Sequence, residues 1–226
     1  QNIFLSPEID FLIEDLETSD KASNILKKQE GSYTDLYFNY SINQDLRDKK
    51  FRTESGYVTT FSQELPLISD SSELSNAFTI TNYKKLSSTS DMVGKVSFFG
   101  KTITGLSDDV RISKRLNVPS YRLRGFQRGK IGPVENNDYI GGNHVTSLNF
   151  SATLPTIVQG LDNLDVGIFL DAANVWGVDY DSSIDDKSAL RSATGLALNL
   201  MTPIGPLSFS FANALTKASS DKTETF

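Results

Sequence analysis

Apolar and polar residues alternate along most of this chain. Around residues 33–42 one face carries Leu36, Phe38, Tyr40 and Ile42, and the other carries Asp35, Asn39 and Ser41. Successive side chains of a β-strand point to opposite faces, so this period indicates strands. The alternation recurs strongly at 145–154, 166–171, 195–200 and 207–211, and more weakly at 3–14, 57–65, 76–83 and 92–103. No segment keeps a helical period, so the pattern predicts an antiparallel all-β chain of about ten strands.

Alternation by itself is compatible with a β-sandwich, a soluble barrel or a transmembrane β-barrel. In a sandwich the apolar face packs on a second sheet, whereas in a membrane barrel it contacts lipid and the polar face lines the lumen. The polar faces here consist mainly of small uncharged residues, which suits a hydrated lumen. Several aromatic residues also fall near predicted strand ends, where membrane interfaces lie. They are Tyr33, Tyr57, Trp176 and Phe211.

The predicted connections fall into a long class and a short class. The long polar connections cover 15–31, 104–120, 127–143 and 177–188. The tight turns lie near 66–75, 155–164 and 202–206. Outer-membrane barrels place long loops on one rim and short turns on the other. We therefore expect the two classes to occupy opposite rims of a transmembrane β-barrel.

Composition narrows the functional classes. The chain has 226 residues, of which 38% are hydrophobic. No apolar run approaches the ~18 residues that a membrane-spanning helix needs, whereas barrel strands need no such run. A net charge of −6 argues against nucleic acid as a partner. Cysteine is absent and His144 is the single histidine, so we expect no metal site and no other cofactor.

Two polar stretches invite a chemical interpretation, and in both the structural one is preferred. Gly141-Gly142-Asn143-His144 has no nucleophile as a partner, so His144 is interpreted as a hydrogen-bonded loop histidine. The acidic run from Asp179 to Asp186 lacks EF-hand spacing and is interpreted as a solvated loop. The sequence also has no nucleophile elbow and no phosphate-binding glycine loop. These observations predict a protein that is not an enzyme.

One loop carries the most distinctive motif of the chain. It contains Arg124-Gly125-Phe126, followed by Ile131-Gly132-Pro133 and Gly141-Gly142-Asn143. Glycine permits backbone angles that other residues resist and proline fixes its own, so this composition predicts fixed turns. The motif resembles the loop-6 signature of the BamA family of outer-membrane assembly proteins. In that family the loop folds back into the barrel lumen, and the resemblance implies the same position here.

Other stretches resemble the same family in its order and spacing. They are the hairpin at 39–64, the strands at 147–150 and 169–176, and the last hairpin at 203–207 with 221–226. The resemblance implies that residues 1–226 form part of one barrel domain of about 16 strands. It also implies that the first barrel strands, the closing strand and the POTRA domains lie outside this chain. No signal peptide begins at Gln1, so we expect a mature protein or an excised fragment.

The resemblance further implies partners for the loop. In the family the loop arginine contacts acidic residues on the inner barrel wall. Arg124 takes the place of that arginine, and Asp171 occupies one of the acidic positions. The other position holds Asn149, where the family usually has glutamate, although its amide oxygen can still accept a hydrogen bond from the guanidinium. The predicted functional residues are Arg124, Gly125, Phe126, Ile131, Gly132 and Pro133, with Asp171 and Asn149 as wall partners.

The implied function is that of a Gram-negative outer-membrane protein of the BAM complex type, which folds and inserts other β-barrel proteins through a lateral seam. The implied partners are outer-membrane lipids, unfolded client barrels and accessory lipoproteins bound through the POTRA domains. Alternatives are a TamA-like or two-partner-secretion barrel, which exports clients, and the barrel of a lipase-fused surface protein. A passive porin is a further possibility, although the Arg-Gly-Phe loop argues against it.

Overall fold

The computed structural model describes residues 2–20, 22, 24–155, 163–179, 184 and 188–226. Its strands are β1 (Ile3–Leu16), β2 (Gly31–Asp45), β3 (Gly56–Ser69), β4 (Glu73–Lys85), β5 (Val93–Gly105), β6 (Val134–Glu135), β7 (Asp138–Tyr139), β8 (His144–Thr153), β9 (Leu164–Trp176), β10 (Arg191–Thr202) and β11 (Gly205–Thr216). One short helix, α1 (Asn24–Lys27), lies between β1 and β2. Within the described ranges, no helix is long and apolar enough to cross a membrane.

Nine long strands of the described chain form one sheet in the order β1-β2-β3-β4-β5-β8-β9-β10-β11. All of its strand pairs are antiparallel. The short strands β6 and β7 pair with each other inside the connection between β5 and β8. The sheet is open, with β1 and β11 at its two edges. The predicted all-β antiparallel class is therefore confirmed.

The two faces of the sheet differ as the alternation predicted. One face presents apolar side chains that are between 42% and 49% exposed, namely Ile168, Leu170, Leu196, Phe209 and Phe211. The other face presents buried polar side chains, including Asp35, Ser147 and Asp171. The expected position of Phe211 near a strand end is wrong, because β11 continues to Thr216. An exposed apolar face of this kind suits contact with lipid chains.

The connection 106–143, which we call the plug segment, lies against the polar face. Its Arg111 bonds to Asp35 on β2, and its Gly125 packs beside Ala193 on β10. Five strands lie between β2 and β10 in the sheet. Because one segment contacts both strands, the sheet must curve around it. The polar face is thus concave and the apolar face is convex.

The hydrophobic core lies between the plug segment and the concave face. The plug side of this core consists of Val110, Leu116, Val118, Leu123, Phe126 and Ile131. The wall side consists of Ile103, Val145, Ala173, Val175 and Ala193. Full burial of a Val, Leu, Ile or Phe side chain contributes about 1.5–3 kcal/mol. Apolar packing therefore holds the plug segment in addition to its polar contacts.

The ends of the sheet form two rims. β2, β4, β8 and β10 begin at what we call the loop rim, and β3, β5, β9 and β11 begin at what we call the turn rim. The connections predicted at 15–31, 104–120, 127–143 and 177–188 join strands at the loop rim, and the turn at 202–206 lies at the turn rim, as expected.

The turn predicted near 66–75 is on the wrong rim. It joins β3 to β4 at the loop rim, together with the long connections. In an antiparallel meander each strand reverses the direction of the chain, so the rim is set by strand parity rather than by connection length. Two other predicted connections are described only in part. Residues 156–162 of the first lie outside the described residues, and so do residues 180–183 and 185–187 of the second.

Candidate functional site

Local turns and a backbone bridge give the plug segment its fold. Two 3-10 turns, Ile112–Lys114 and Ser120–Arg122, precede the Arg-Gly-Phe motif. Leu116 and Gly142 exchange backbone hydrogen bonds of 2.8 and 2.9 Å, which join the two halves of the segment. The β6–β7 hairpin turns through Asn136 and Asn137, whose φ angles are 49° and 69°. Asparagine tolerates this left-handed conformation better than most residues.

Arg124 and Asp171 meet in a bidentate ion pair. Nε of Arg124 donates to one carboxylate oxygen at 2.7 Å, and Nη2 donates to the other at 2.9 Å. The backbone N–H of Arg124 donates to the same carboxylate at 3.2 Å. The guanidinium also lies 3.4 Å from the centroid of the Phe169 ring. Two parallel charge-assisted bonds and an aromatic contact fix the orientation of this planar group.

Asn149 faces Asp171 across the β8–β9 pair. Its Nδ2 donates to Asp171 at 2.8 Å and to the carbonyl oxygen of Arg122 at 2.7 Å. Its amide oxygen, which is able to accept from the guanidinium, accepts instead from Ser147 at 3.2 Å. Asp171 already occupies one edge of the guanidinium and has room for another donor, which Asn149 supplies. Asn149 therefore binds the carboxylate and the plug backbone together.

Gly125 and Phe126 bring the plug segment against the last strands of the sheet. Gly125 has φ +85°, and a Cβ added to it would lie 3.0 Å from the Cβ of Ala212. Both the left-handed angle and the close approach require glycine. Phe126 is 3% exposed and belongs to the core between plug and wall. The structure thus places residues 124–126 on the concave side of the sheet.

The Ile131-Gly132-Pro133 motif packs on β9. Gly132 has φ +99°, and a Cβ there would lie 2.5 Å from Cγ1 of Val175. Ile131 and Pro133 are both buried. The carbonyl oxygen of Pro133 accepts a bond from Ile140 at 3.2 Å, which closes the base of the β6–β7 hairpin. This motif therefore holds the hairpin against β9 by close packing.

A second arginine site, which the sequence analysis missed, holds the beginning of the plug segment. The Arg111 side chain is 1% exposed, and its Nη2 donates to Asp35, which is fully buried. Asp35 also accepts from the Ser69 hydroxyl at 2.6 Å. The Arg111 guanidinium lies 4.2 Å from the Tyr33 ring centroid, and its Nε lies 3.4 Å from Glu14. Arg111 therefore connects the plug segment to β1 and β2.

Glu73 of β4 extends the Arg111 site. Its carboxylate accepts the backbone N–H of Arg111 at 3.4 Å and the Tyr37 hydroxyl at 2.9 Å. Glu73 and Tyr37 are each 2% exposed. These residues lie far apart in sequence and form no motif. The one available signal was Asp35, a charged residue on the inward face of a predicted strand.

Asp179 provides a third polar contact for the plug segment. Arg115 donates to Asp179 and also to the amide oxygen of Asn143 at 2.8 Å. The backbone N–H of Val110 donates to Asp179 at 3.0 Å. Burial raises the pKa of Asp179, but these donors outweigh it and hold the pKa below its ordinary range. Asp179 is an exposed loop residue, as the interpretation of the acidic run expected, and it also bonds to the plug segment.

His144 is the first residue of β8 rather than a loop residue. Its Nδ1 and the hydroxyl of Thr102 are hydrogen-bonded at 2.9 Å, and its ring lies 5.5 Å from the Trp176 ring. The interpretation of His144 as a hydrogen-bonded histidine is confirmed, although its predicted loop position is not. In the part of the chain that the structure describes, no group of three His, Cys, Asp or Glu side chains is placed to hold a metal ion.

The last residues of the chain run between the plug segment and β11. Gln127 donates its backbone N–H to Lys222 at 3.0 Å, and Glu224 donates to Gly125 at 3.1 Å. On the opposite side, the N–H of Ala212 on β11 donates to Thr225 at 2.9 Å. The plug segment is therefore bonded through the backbone to the segment that adjoins the β11 edge.

Comparison with known proteins agrees with this geometry. The family model for the Omp85 superfamily domain matches residues 10–226. Among solved structures, BamA from Haemophilus ducreyi lacking POTRA domains 1–3 is similar, with a TM-score of 0.78 and 24% sequence identity. The match covers 86% of this chain and 42% of that one, so this chain spans less than half of the BamA chain. The likeness shows a shared barrel-type antiparallel fold.

Proposed function

Because the chain belongs to the Omp85 superfamily, we propose that it forms part of a bacterial outer-membrane β-barrel that folds and inserts other β-barrel proteins. The superfamily match and the barrel-type fold support a role in barrel insertion or translocation. The narrower proposal depends on one observation, the plug segment fixed inside the curve of the sheet by the Arg124–Asp171 pair. A plug segment held in this way occupies the concave side of the sheet, so the barrel is a filled, curved support rather than an open pore.

The proposed mechanism uses the pairing capacity of strand edges. An exposed edge presents unpaired N–H and C=O groups, on which another strand can add by backbone hydrogen bonding. In the complete barrel the first and last strands separate along a seam, and a client strand pairs with the exposed edge. The plug segment keeps the wall curved meanwhile, because it is bonded to β2 at Arg111 and to β9 at Arg124. No covalent bond changes, so the proposed activity is not enzymatic.

The proposed partners follow from the same architecture. The exposed apolar side chains of the convex face, such as Ile168 and Phe209, contact outer-membrane lipid. Unfolded β-barrel proteins are the clients. Further barrel strands and POTRA domains in the full-length protein complete the assembly, and accessory lipoproteins bind to the POTRA domains.

Reconstitution of the full-length protein in phospholipid vesicles tests the proposal. A urea-denatured client barrel is added, and its folding is followed by the mobility shift of folded barrels on unheated SDS gels. We expect faster folding than in empty vesicles, and slower folding with Arg124→Ala than with the wild type. Arg128→Ala is the matched control, because Arg128 is also a plug arginine and forms no ion pair within the described residues.

Two results would contradict the insertion function. Equal rates of client folding in vesicles with and without the protein would contradict the insertion function. Clients protected from protease inside the vesicles but not embedded in the membrane would favour the translocation function of the same superfamily.

A further inference from the structure

A cavity of about 920 Å³ lies on the concave side between the plug segment and the turn rim. Tyr121, Arg122 and Arg124 of the plug segment form its inner end, and β4, β5, β8, β9 and β10 contribute its walls. The connection 46–55 crosses its mouth, because Arg52 donates to Asp165 of β9 at 3.2 Å. Pockets of roughly 300–1,000 Å³ hold drug-sized ligands. The cavity can therefore hold a few residues of extended polypeptide but no folded domain.

Positive charge predominates in this cavity. The cationic side chains that line it are Arg47, Lys49, Lys50, Arg52, Lys95, Arg122 and Arg124, and the acidic ones are Glu54, Asp91 and Asp165. Two more acidic groups, Asp45 and Asp171, pair with Arg47 and Arg124 from behind the lining. The seven cations therefore face five acids, which leaves an excess of two positive charges.

Three cations of the lining form no ion pair with the described residues, namely Lys50 in the connection at the mouth, Lys95 on β5 and Arg122 in the plug segment. The proposed site is formed by Lys95 and Arg122. Arg122 is 8% exposed, and its buried Nε has no hydrogen-bond partner among the described residues. Its guanidinium is held 4.2 Å from the Phe99 ring centroid, while Asn149 fixes its backbone. Lys95 stands on β5 with its ammonium 5.9 Å from the Tyr83 ring centroid. Within the described ranges, neither cation has a carboxylate within 4.0 Å. Arg122 is buried, whereas Lys95 is exposed to the cavity. A buried charge without a partner is unfavourable, so Arg122 favours an anion, and the ammonium of Lys95 adds a second positive charge beside the same cavity.

We propose that Lys95 and Arg122 bind the carboxylates of an extended acidic polypeptide segment that enters the cavity from the turn rim. The guanidinium suits a planar carboxylate, and the ammonium supplies a second charge on a flexible stem. Hydroxyl and amide side chains of the lining, such as Ser97, Ser151 and Asn199, offer hydrogen bonds to a peptide backbone. The segment comes from a client, in which case the inference rests on the proposed function, or from another part of the same protein.

Fluorescence anisotropy with a labelled glutamate-rich peptide tests the site in the full-length protein. We expect binding that weakens with salt and falls about tenfold in Lys95→Gln, since one charge-assisted contact is lost. Lys101→Gln is the control, because Lys101 lies on the same face of β5 outside this cavity and should leave binding unchanged. Equal affinities of wild type and Lys95→Gln would overturn the proposal. So would displacement of the peptide by equimolar inorganic phosphate, which would indicate a simple anion site.

Carbodiimide crosslinking tests an internal source of the acidic segment. This reagent joins a lysine amine to a carboxylate in direct contact, and mass spectrometry identifies the pair. If no added peptide binds because the site is already filled, we expect Lys95 to be joined to an acidic residue elsewhere in the same protein. Absence of both peptide binding and such a crosslink would overturn the proposal. The client-folding assay is independent of both measurements, so failure of this site and failure of the insertion function are distinguishable.

Discussion

Arg111 and Arg124 both fix the plug segment to a fully buried aspartate, but the two sites differ in their access to water. Arg111 is 1% exposed, and among the described residues its Nε and Nη1 have no hydrogen-bond partner, although Nε lies 3.4 Å from Glu14. Arg124 is 21% exposed and lines the basic cavity, while Asp171 accepts four hydrogen bonds from protein donors. The first pair is a dry structural clamp, and the second is a well-bonded contact beside water. The same two residue types can therefore serve different purposes.

The energetic consequence of this difference is testable. Removing one partner of a dry pair leaves a buried charge that no water can reach, which costs about 3–5 kcal/mol. Beside a hydrated cavity, water can solvate the remaining group, so the loss is smaller.

Asp35→Ala should have the largest effect. It removes the hydrogen-bonded carboxylate of the buried Arg111 guanidinium and leaves only the longer ion pair with Glu14 among those described, so we expect the free energy of unfolding of the full-length protein to fall by about 3–5 kcal/mol. Guanidinium chloride titration in detergent micelles measures this change. Asp10→Ala, which removes an exposed carboxylate bonded to Asn39, should cost less than about 1 kcal/mol. Equal losses in both variants would refute the dry-clamp interpretation.

Gly125→Ala should have the next largest effect. The alanine would adopt a left-handed conformation and would approach Ala212 at 3.0 Å, so we expect a loss of about 2–4 kcal/mol. Gly129→Ala is the matched control, because Gly129 also has positive φ but a Cβ there meets no atom of the described residues within 4 Å. We expect Gly129→Ala to cost only the backbone part, about 1–2 kcal/mol. The close packing of the plug segment on β11 would be disproved by identical stabilities of the two variants.

Arg124→Lys should have a moderate effect. Lysine keeps the charge but loses the planar fork, so one of the two parallel bonds to Asp171 disappears, at a cost of about 1.5 kcal/mol. The reactivity of a cysteine introduced at Gln127 towards a bulky impermeant reagent reports whether the plug segment has loosened. We expect faster labelling in Arg124→Lys than in the unmodified background. Unchanged labelling would show that charge alone holds this part of the plug segment.

The contribution of Asp179 to stability at low pH should be the smallest of these effects. Its folded pKa lies below the unfolded value of about 3.9, so the stabilisation is fully present above that value. It is lost as pH falls through the lower folded pKa. Stability measured against pH should therefore decrease less steeply in Asp179→Asn than in the wild type below about pH 4. Parallel curves for the two proteins would show that Asp179 does not contribute.

The sequence predicted the strands of the sheet better than the contacts of the plug segment. The period of two identified the strands and their inward faces, because alternation is a local property of each strand. Alternation also indicated that Asp171 faces inward, but its role as the partner of Arg124 came from the resemblance to the BamA family. Arg111 and Glu73 were not predicted, because they meet only after the plug segment folds back across several strands. The predicted rim of the turn near 66–75 was wrong for a different reason, because the length of a connection carries no information about strand parity.

A double-mutant cycle on Arg124 and Asp171 tests the central claim most directly. Arg124→Ala, Asp171→Ala and the double variant are compared with the wild type in the full-length protein, by free energy of unfolding and by client folding rate. We predict a coupling energy above the ~1 kcal/mol of an exposed pair and below the roughly 3–5 kcal/mol lost when a dry buried pair is broken. Additive losses, with coupling near zero, would contradict the claim that this pair anchors the plug segment.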